Sequence, residues 1–253
     1  MVNITIIYLS FFLLGLVFGS FFNVVGIRVA LGKSIISPGS TCPNCSHKLG
    51  AAELIPVLSF LLQRGRCKSC KLPISKMYIL IELVTGFLFV IAIHEIGFHK
   101  ELIISLSFIA LLMIIVVSDS RFMMIPNRIL LIFLFLFILE RIFIPLDSRW
   151  SSVVGAVGAF MVLLLISIIS KGGMGGGDIK LFGVLGIILG WKLTLITFML
   201  SCFLGCMFGL LLIMKDRSKK RSPIPFGPFI AAGGIVSYFY SEKLLEIYLS
   251  IFG

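Results

Sequence analysis

Long apolar runs at 4–25, 77–93, 102–118, 129–146, 152–170, 179–190, 193–214 and 224–250 take up most of this chain of 253 residues. A membrane crossing needs about 20 apolar residues. Inside hydrocarbon, an open chain can satisfy its own backbone only as a helix. The expected fold is therefore an all-α polytopic membrane protein with about eight transmembrane helices. With 59% hydrophobic and 13% charged residues and a mean hydropathy of +1.15, a water-soluble domain is excluded. The stretch 179–214 would reach roughly 54 Å as one helix, against a core of about 30 Å, so it should fold back as a hairpin. Trp191 and Lys192 suit its turn. The first run reads as an anchor rather than a cleaved signal, because no basic residue precedes it and LVFGSFFNVV offers no small-x-small cleavage site.

Lys and Arg placement sets the orientation. With the N-terminus outside, the loops at 26–76, 119–128, 171–180 and 215–222 share one side and carry most of the 22 basic residues, including Arg217, Lys219, Lys220 and Arg221. Only Lys100, Arg141, Arg149, Lys192 and Lys243 fall opposite. The basic side should be cytoplasmic. The net charge of +11 then reflects topology and a match to anionic lipid, with no nucleic-acid partner needed to explain it.

The loop at 27–76 is too long and too polar for a simple connector, and a unit of that size needs a covalent or metal cross-link to fold. Cys42-x2-Cys45 and Cys67-x2-Cys70 supply a four-thiolate zinc pattern, two sulfurs from each turn. Paired disulfides are the alternative, but they require an oxidising compartment. Four sulfurs leave no open position, so the metal would be structural. His47 reads as a surface residue. Cys202 and Cys206, one turn apart in an apolar run, read as packing or lipid-facing residues. The sequence suggests no internal repeat, low-complexity tract or dinucleotide-binding glycine fingerprint.

Two carboxylates lie where apolar runs meet the basic loops: Asp119 in VVSDSRFMMIPN and Asp178 in KGGMGGGDIKL. Acidic side chains at that depth are costly and point to function. The orientation puts both on one side, where they could share a proton, activate water and titrate as a coupled unit. Asp119 also fits ordinary turn and cap chemistry. The glycines at 172–177 permit close approach of a second chain, so Gly175, Gly176 and Gly177 should border a cavity and could bind an extended peptide, with a merely flexible turn as the alternative. Lys180 could tune Asp178 or snorkel to head groups, and snorkelling is preferred. No Ser, Cys or His constellation competes, since His94 and His99 fall on the outer side.

The stretches GSFFNVVGIRV (19–29), CPNC with ELIPVLSFLLQRGRCKSCKLPIS (42–75), YILIELVTG (78–86), SDSRFMMIPNRI (118–129), GGGDIKLFGVLG (175–186) and PIPFGPFIAAG (223–233) follow one another in a specific order. In this series the chain resembles the type IV prepilin peptidase family of GxGD membrane aspartic proteases, most nearly its competence-type members. The resemblance implies a first transmembrane helix at 1–26, a cytoplasmic four-cysteine zinc domain at 27–76 and a transmembrane aspartic peptidase domain at 77–253, with Asp119 and Asp178 catalytic. It implies cleavage of a basic leader from prepilins or pseudopilins at the cytoplasmic face of the plasma membrane, commonly between glycine and phenylalanine. It also implies methylation of the new N-terminus with S-adenosylmethionine, an activity associated with the cysteine domain, to which Glu53 and Glu82 could contribute. Within its span, Glu82 reads more simply as a paired structural carboxylate.

Two rival functions use the same residues. A proton-coupled transporter would place carboxylates at mid-membrane within inverted repeats. A zinc-stabilised membrane methyltransferase with structural aspartates would keep its activity after Asp178→Ala.

Overall fold

The computed structural model describes residues 4–146, 148–215 and 223–252. Arg217, Lys219, Lys220 and Arg221 lie outside them, as do the side chains of Arg149 and Lys243. Among the described residues the regular structure is helical, without a strand. The helices are α1 (Ile4–Ala30), α2 (Leu58–Leu62), α3 (Met77–Ile96), α4 (Glu101–Phe122), α5 (Asn127–Phe143), α6 (Arg149–Ile169), α7 (Gly176–Lys215) and α8 (Gly227–Phe252). Five of them, α1, α3, α4, α6 and α7, are long and apolar enough to cross a membrane. The chain is thus a multi-pass membrane protein. It divides into two compact units, 1–117 and 118–253.

In the first unit α1 and α3 run antiparallel. Tyr8 Oη meets His94 Nδ1 at 2.9 Å near one end, and Asn23 Nδ2 donates to the Tyr78 carbonyl at 3.2 Å near the other. Lipid gives helices no hydrophobic reason to associate, so small residues that let backbones touch must supply the contact. Gly15 and Gly19, one turn apart, do this: a Cβ on Gly15 would lie 2.7 Å from Gly86 Cα, and one on Gly19 would lie 2.8 Å from Glu82 Cα. Gly26 continues the stripe against Val117 of α4. Within α4, Ile104, Phe108, Leu111, Leu112 and Ile115 are fully buried.

The second unit holds the expected hairpin. Helix α7 breaks at Gly190 (φ 69, ψ 176), a left-handed conformation that suits glycine. The Phe182 and Phe198 rings, eight residues to either side, lie 5.7 Å apart between centroids. On a straight helix, 16 residues would separate them by about 24 Å. The break exposes carbonyls that hydrocarbon cannot solvate. Arg141 Nη2 donates to Ile188 O at 2.6 Å, and Thr194 Oγ1 donates to Gly190 O at 2.6 Å. Arg141 belongs to the end of α5 and is buried, so it caps the first arm from a neighbouring helix. The second arm meets α8 through Thr197 and Ser237, whose hydroxyls are 2.5 Å apart.

Because the Gly19 seam leaves no room for a side chain, Gly19→Leu should separate α1 from α3. Overpacking of this kind costs about 1–3 kcal/mol, which thermal unfolding in detergent would read as a lowered midpoint.

Candidate active site and cysteine module

The second unit brings the two aspartates together. Asp119 lies in the last turn of α4, and Asp178 is the third residue of α7. Their carboxyls are close enough to interact electrostatically. Asp119 is buried, and its Oδ2 accepts the N–H of Gly227, the first residue of α8, at 2.7 Å. Asp119 is therefore a helix cap, as its local sequence allowed, but for a helix that starts 108 residues later. This bond fixes one carboxyl oxygen and with it the side-chain orientation. A Cβ on residue 227 would lie 2.9 Å from Asp119 Oδ2 and 3.0 Å from its Cβ, so only glycine lets α8 begin there.

The glycine loop is shorter than the sequence suggested. Gly176 and Gly177 already belong to the first turn of α7, leaving 172–175 as the connector. Two serines at the end of α6 order it: Ser170 Oγ accepts Gly173 N–H at 3.1 Å, and Ser167 Oγ donates to Met174 O at 3.2 Å. A Cβ on Gly175 would lie 2.8 Å from Asp178 Oδ2, so the missing side chain lets that carboxyl pack against the backbone of the connector. Gly177 packs on Ile125, just ahead of α5. Lys180 is exposed and has a partner within the protein. Its Nζ donates to Asn127 Oδ1 at 3.1 Å, tying the start of α7 to the start of α5. The apolar groove of about 190 Å³ beside α6 is lined by Gly155, Phe182, Trp191 and Phe198, and by neither aspartate.

In the first unit the four cysteines converge. The Sγ atoms of Cys42, Cys45, Cys67 and Cys70 all lie within 4.8 Å of one another, with Cys42 to Cys70 and Cys45 to Cys67 both at 3.9 Å. A tetrahedron with metal–sulfur bonds of about 2.3 Å has edges of about 3.8 Å, so the thiols fit a four-thiolate metal site. No pair is at bonding distance. The module also contains a repeat that the sequence reading did not find. Cys42 N–H bonds to His47 O and Ser46 N–H to Cys42 O; Cys67 N–H bonds to Leu72 O and Lys71 N–H to Cys67 O, all at 2.9 Å. Ser46 and Lys71 share left-handed φ values of 57° and 60°. Isolated bridges Thr41–Lys48 and Arg66–Pro73 close the two turns. One knuckle is thus built twice from sequences that share little beyond their cysteines.

Glu53 and Glu82 support this module. Glu53 Oε2 accepts Gly50 N–H at 3.0 Å and faces His47 Nε2 at 3.2 Å. The Gly50 hydrogen bond, with His47 adding to it, holds the Glu53 carboxyl below its ordinary range. Buried Glu82 accepts the N–H of Val57 at 2.8 Å. Cys202 and Cys206 are exposed on the second arm of α7.

Residues 13–96 match the bacterial peptidase A24 N-terminal domain, and residues 106–210 match the type IV leader peptidase family. A protein of Bacillus subtilis described as a prepilin leader peptidase/N-methyltransferase is 45% identical, over 95% of this chain and 97% of its own length. Proteins with the same description from Stutzerimonas stutzeri and Pseudomonas aeruginosa are 31% and 30% identical, over 93% and 95% of this chain and 91% and 93% of their own lengths. No solved structure matches the chain. Full-length similarity at these identities, joined to both domain matches, shows that the chain belongs to the type IV leader peptidase family.

Proposed function

We propose that this protein is a membrane aspartic endopeptidase that removes the basic leader of type IV prepilins or pseudopilins, and that it methylates the new N-terminus with S-adenosylmethionine. The observation that carries the reading is the electrostatic interaction of Asp119 with Asp178, from the end of one spanning helix and the start of another. The family supports it, as do the relatives described as leader peptidase/N-methyltransferase.

We place eight crossings in the membrane: α1, α3, α4, α5, α6, the two arms of α7, and α8. Alternation then puts Asp119, Asp178 and the start of α8 at one rim, in keeping with the Asp119–Gly227 bond. It puts Arg141 and Ile188 together at the other, in keeping with theirs. The basic loops make the aspartate rim cytoplasmic. A substrate with a basic leader in the cytoplasm and an apolar helix in the bilayer delivers its scissile bond to that level.

The chemistry needs one proton shared by two carboxyls. The ionised one takes a proton from water as its oxygen attacks the scissile carbonyl carbon. The protonated one hydrogen-bonds the carbonyl oxygen, and a proton then passes to the leaving amine as the C–N bond breaks. Gly175, Gly176 and Gly177 would receive the substrate backbone beside Asp178, with Gly176 the one that has open space where a side chain would stand. In the cysteine module, Cys42, Cys45, Cys67 and Cys70 would hold structural zinc, which ties the two knuckles together and leaves no position for substrate.

Asp119→Asn and Asp178→Asn should each reduce leader cleavage by about 10³-fold while leaving the protein folded, as measured by mass analysis of product N-termini. Near-normal processing by either variant would remove the protease assignment and favour a membrane methyltransferase. Gly227→Ala, which pushes on the Asp119 carboxyl, should lower kcat more than it raises KM. Cys42→Ser or Cys67→Ser should lower the metal content of the purified protein and lower methylation more than cleavage. Metal-free wild-type protein would refute the zinc site.

A further inference from the structure

Helix α2, outside the spans, exposes the wrong side chains for a segment in water. Leu58, Leu61 and Leu62 are 48%, 60% and 75% exposed. Their i, i+3, i+4 spacing turns them to one side. Leu54, in the turn before them, is exposed as well. A contiguous apolar face of this kind marks a contact surface.

Level and charge identify what covers it. Glu82 holds the N–H of Val57, the residue directly before α2, at 2.8 Å. Glu82 is five residues past the start of α3, about 8 Å along the axis, and helical side chains lean back toward the N-terminus. The entry to α2 is therefore pinned level with the first two turns of a spanning helix. A helix of 20 residues is about as long as the hydrocarbon core is thick, so its first turns belong near the boundary between head groups and acyl chains. The chain leaving α2 then presents Arg64, Arg66, Lys68 and Lys71, all exposed, and residues 54–76 contain no acidic side chain. Leucines on one side and cations beside them are the pattern of an interfacial helix on anionic lipid.

We propose that α2 lies in the membrane interface, its leucines among the upper acyl chains and the adjoining Arg and Lys residues on anionic phosphate head groups. Lipid then binds the cysteine module to the bilayer surface, beyond its tethers to α1 and α3. Glu82 is the clamp that sets the depth, by holding the backbone at residue 57.

The test uses the full chain in vesicles of phosphatidylcholine and phosphatidylglycerol. In a Trp150→Phe, Trp191→Phe background, Leu62→Trp places one indole on the proposed face. Its emission should be blue-shifted and mostly lost to lipids brominated near the head-group end of the acyl chain, with little loss to acrylamide. Emission untouched by brominated lipid overturns the proposal, whether water or a protein partner covers the face. The unmodified chain gives an independent reading with a photoactivatable phosphatidylglycerol. Lipid adducts on the peptide containing residues 58–64 support the proposal, and adducts confined to the spanning helices, or cross-links from this peptide to a second copy, overturn it.

Discussion

Every backbone polar group in hydrocarbon must find its partner within the protein, and the second unit is built around the places where helices cannot meet that demand. At Gly190 the chain reverses, and the freed carbonyls are taken by Arg141 and Thr194. Between α6 and α7 the glycine connector is held by Ser167 and Ser170. At the start of α8 the first N–H is taken by Asp119. Each break is thus met by a side chain, local at the glycine connector and distant for Arg141 and Asp119, and the two distant bonds fix helices against one another without a hydrophobic drive.

The proposed catalytic pair grows out of this arrangement. Asp119 supplies the cap that α8 needs, so its carboxyl is anchored by the fold and not only by its own helix. Asp178 sits in the first turn of α7, and the absence of a side chain at Gly175 lets its carboxyl lie against the connector backbone. Gly227 and Gly175 therefore serve the same end from two directions: each removes the one atom that would crowd an acidic group. The cysteine module shows the same economy, with one hydrogen-bonded turn used twice to aim two pairs of thiols at a common point.

Much of this was legible in the sequence because it depends on spacing. The run lengths predict spanning helices, 179–214 is too long for one crossing, and two CxxC pairs predict converging sulfurs. What was not legible depends on tertiary position. The 25-residue offset between the knuckles lies in backbone angles at Ser46 and Lys71, two residues with no chemical likeness. Arg141 reads as an outer-side cation, and only the break at Gly190 gives that cation a carbonyl to cap. The bond from Lys180 to Asn127, at 3.1 Å, joins residues 53 positions apart. Gly176 and Gly177 read as loop because glycine is a poor helix former, yet the first turn of α7 accepts them. The partner of Asp119 lies too far along the chain for any local pattern to reveal.

The most direct measurement of the central claim is proximity across the pair. In a Cys202→Ser, Cys206→Ser background, Asp119→Cys and Asp178→Cys would be combined in sealed membranes and treated with a short bis-maleimide, and the bridged peptides would be identified by mass. Two carboxyls that meet at one rim should yield a bridge between positions 119 and 178 within a single chain. If no bridge forms, and impermeant thiol reagents reach the two positions from opposite faces of the membrane, the aspartates cannot act on one peptide bond.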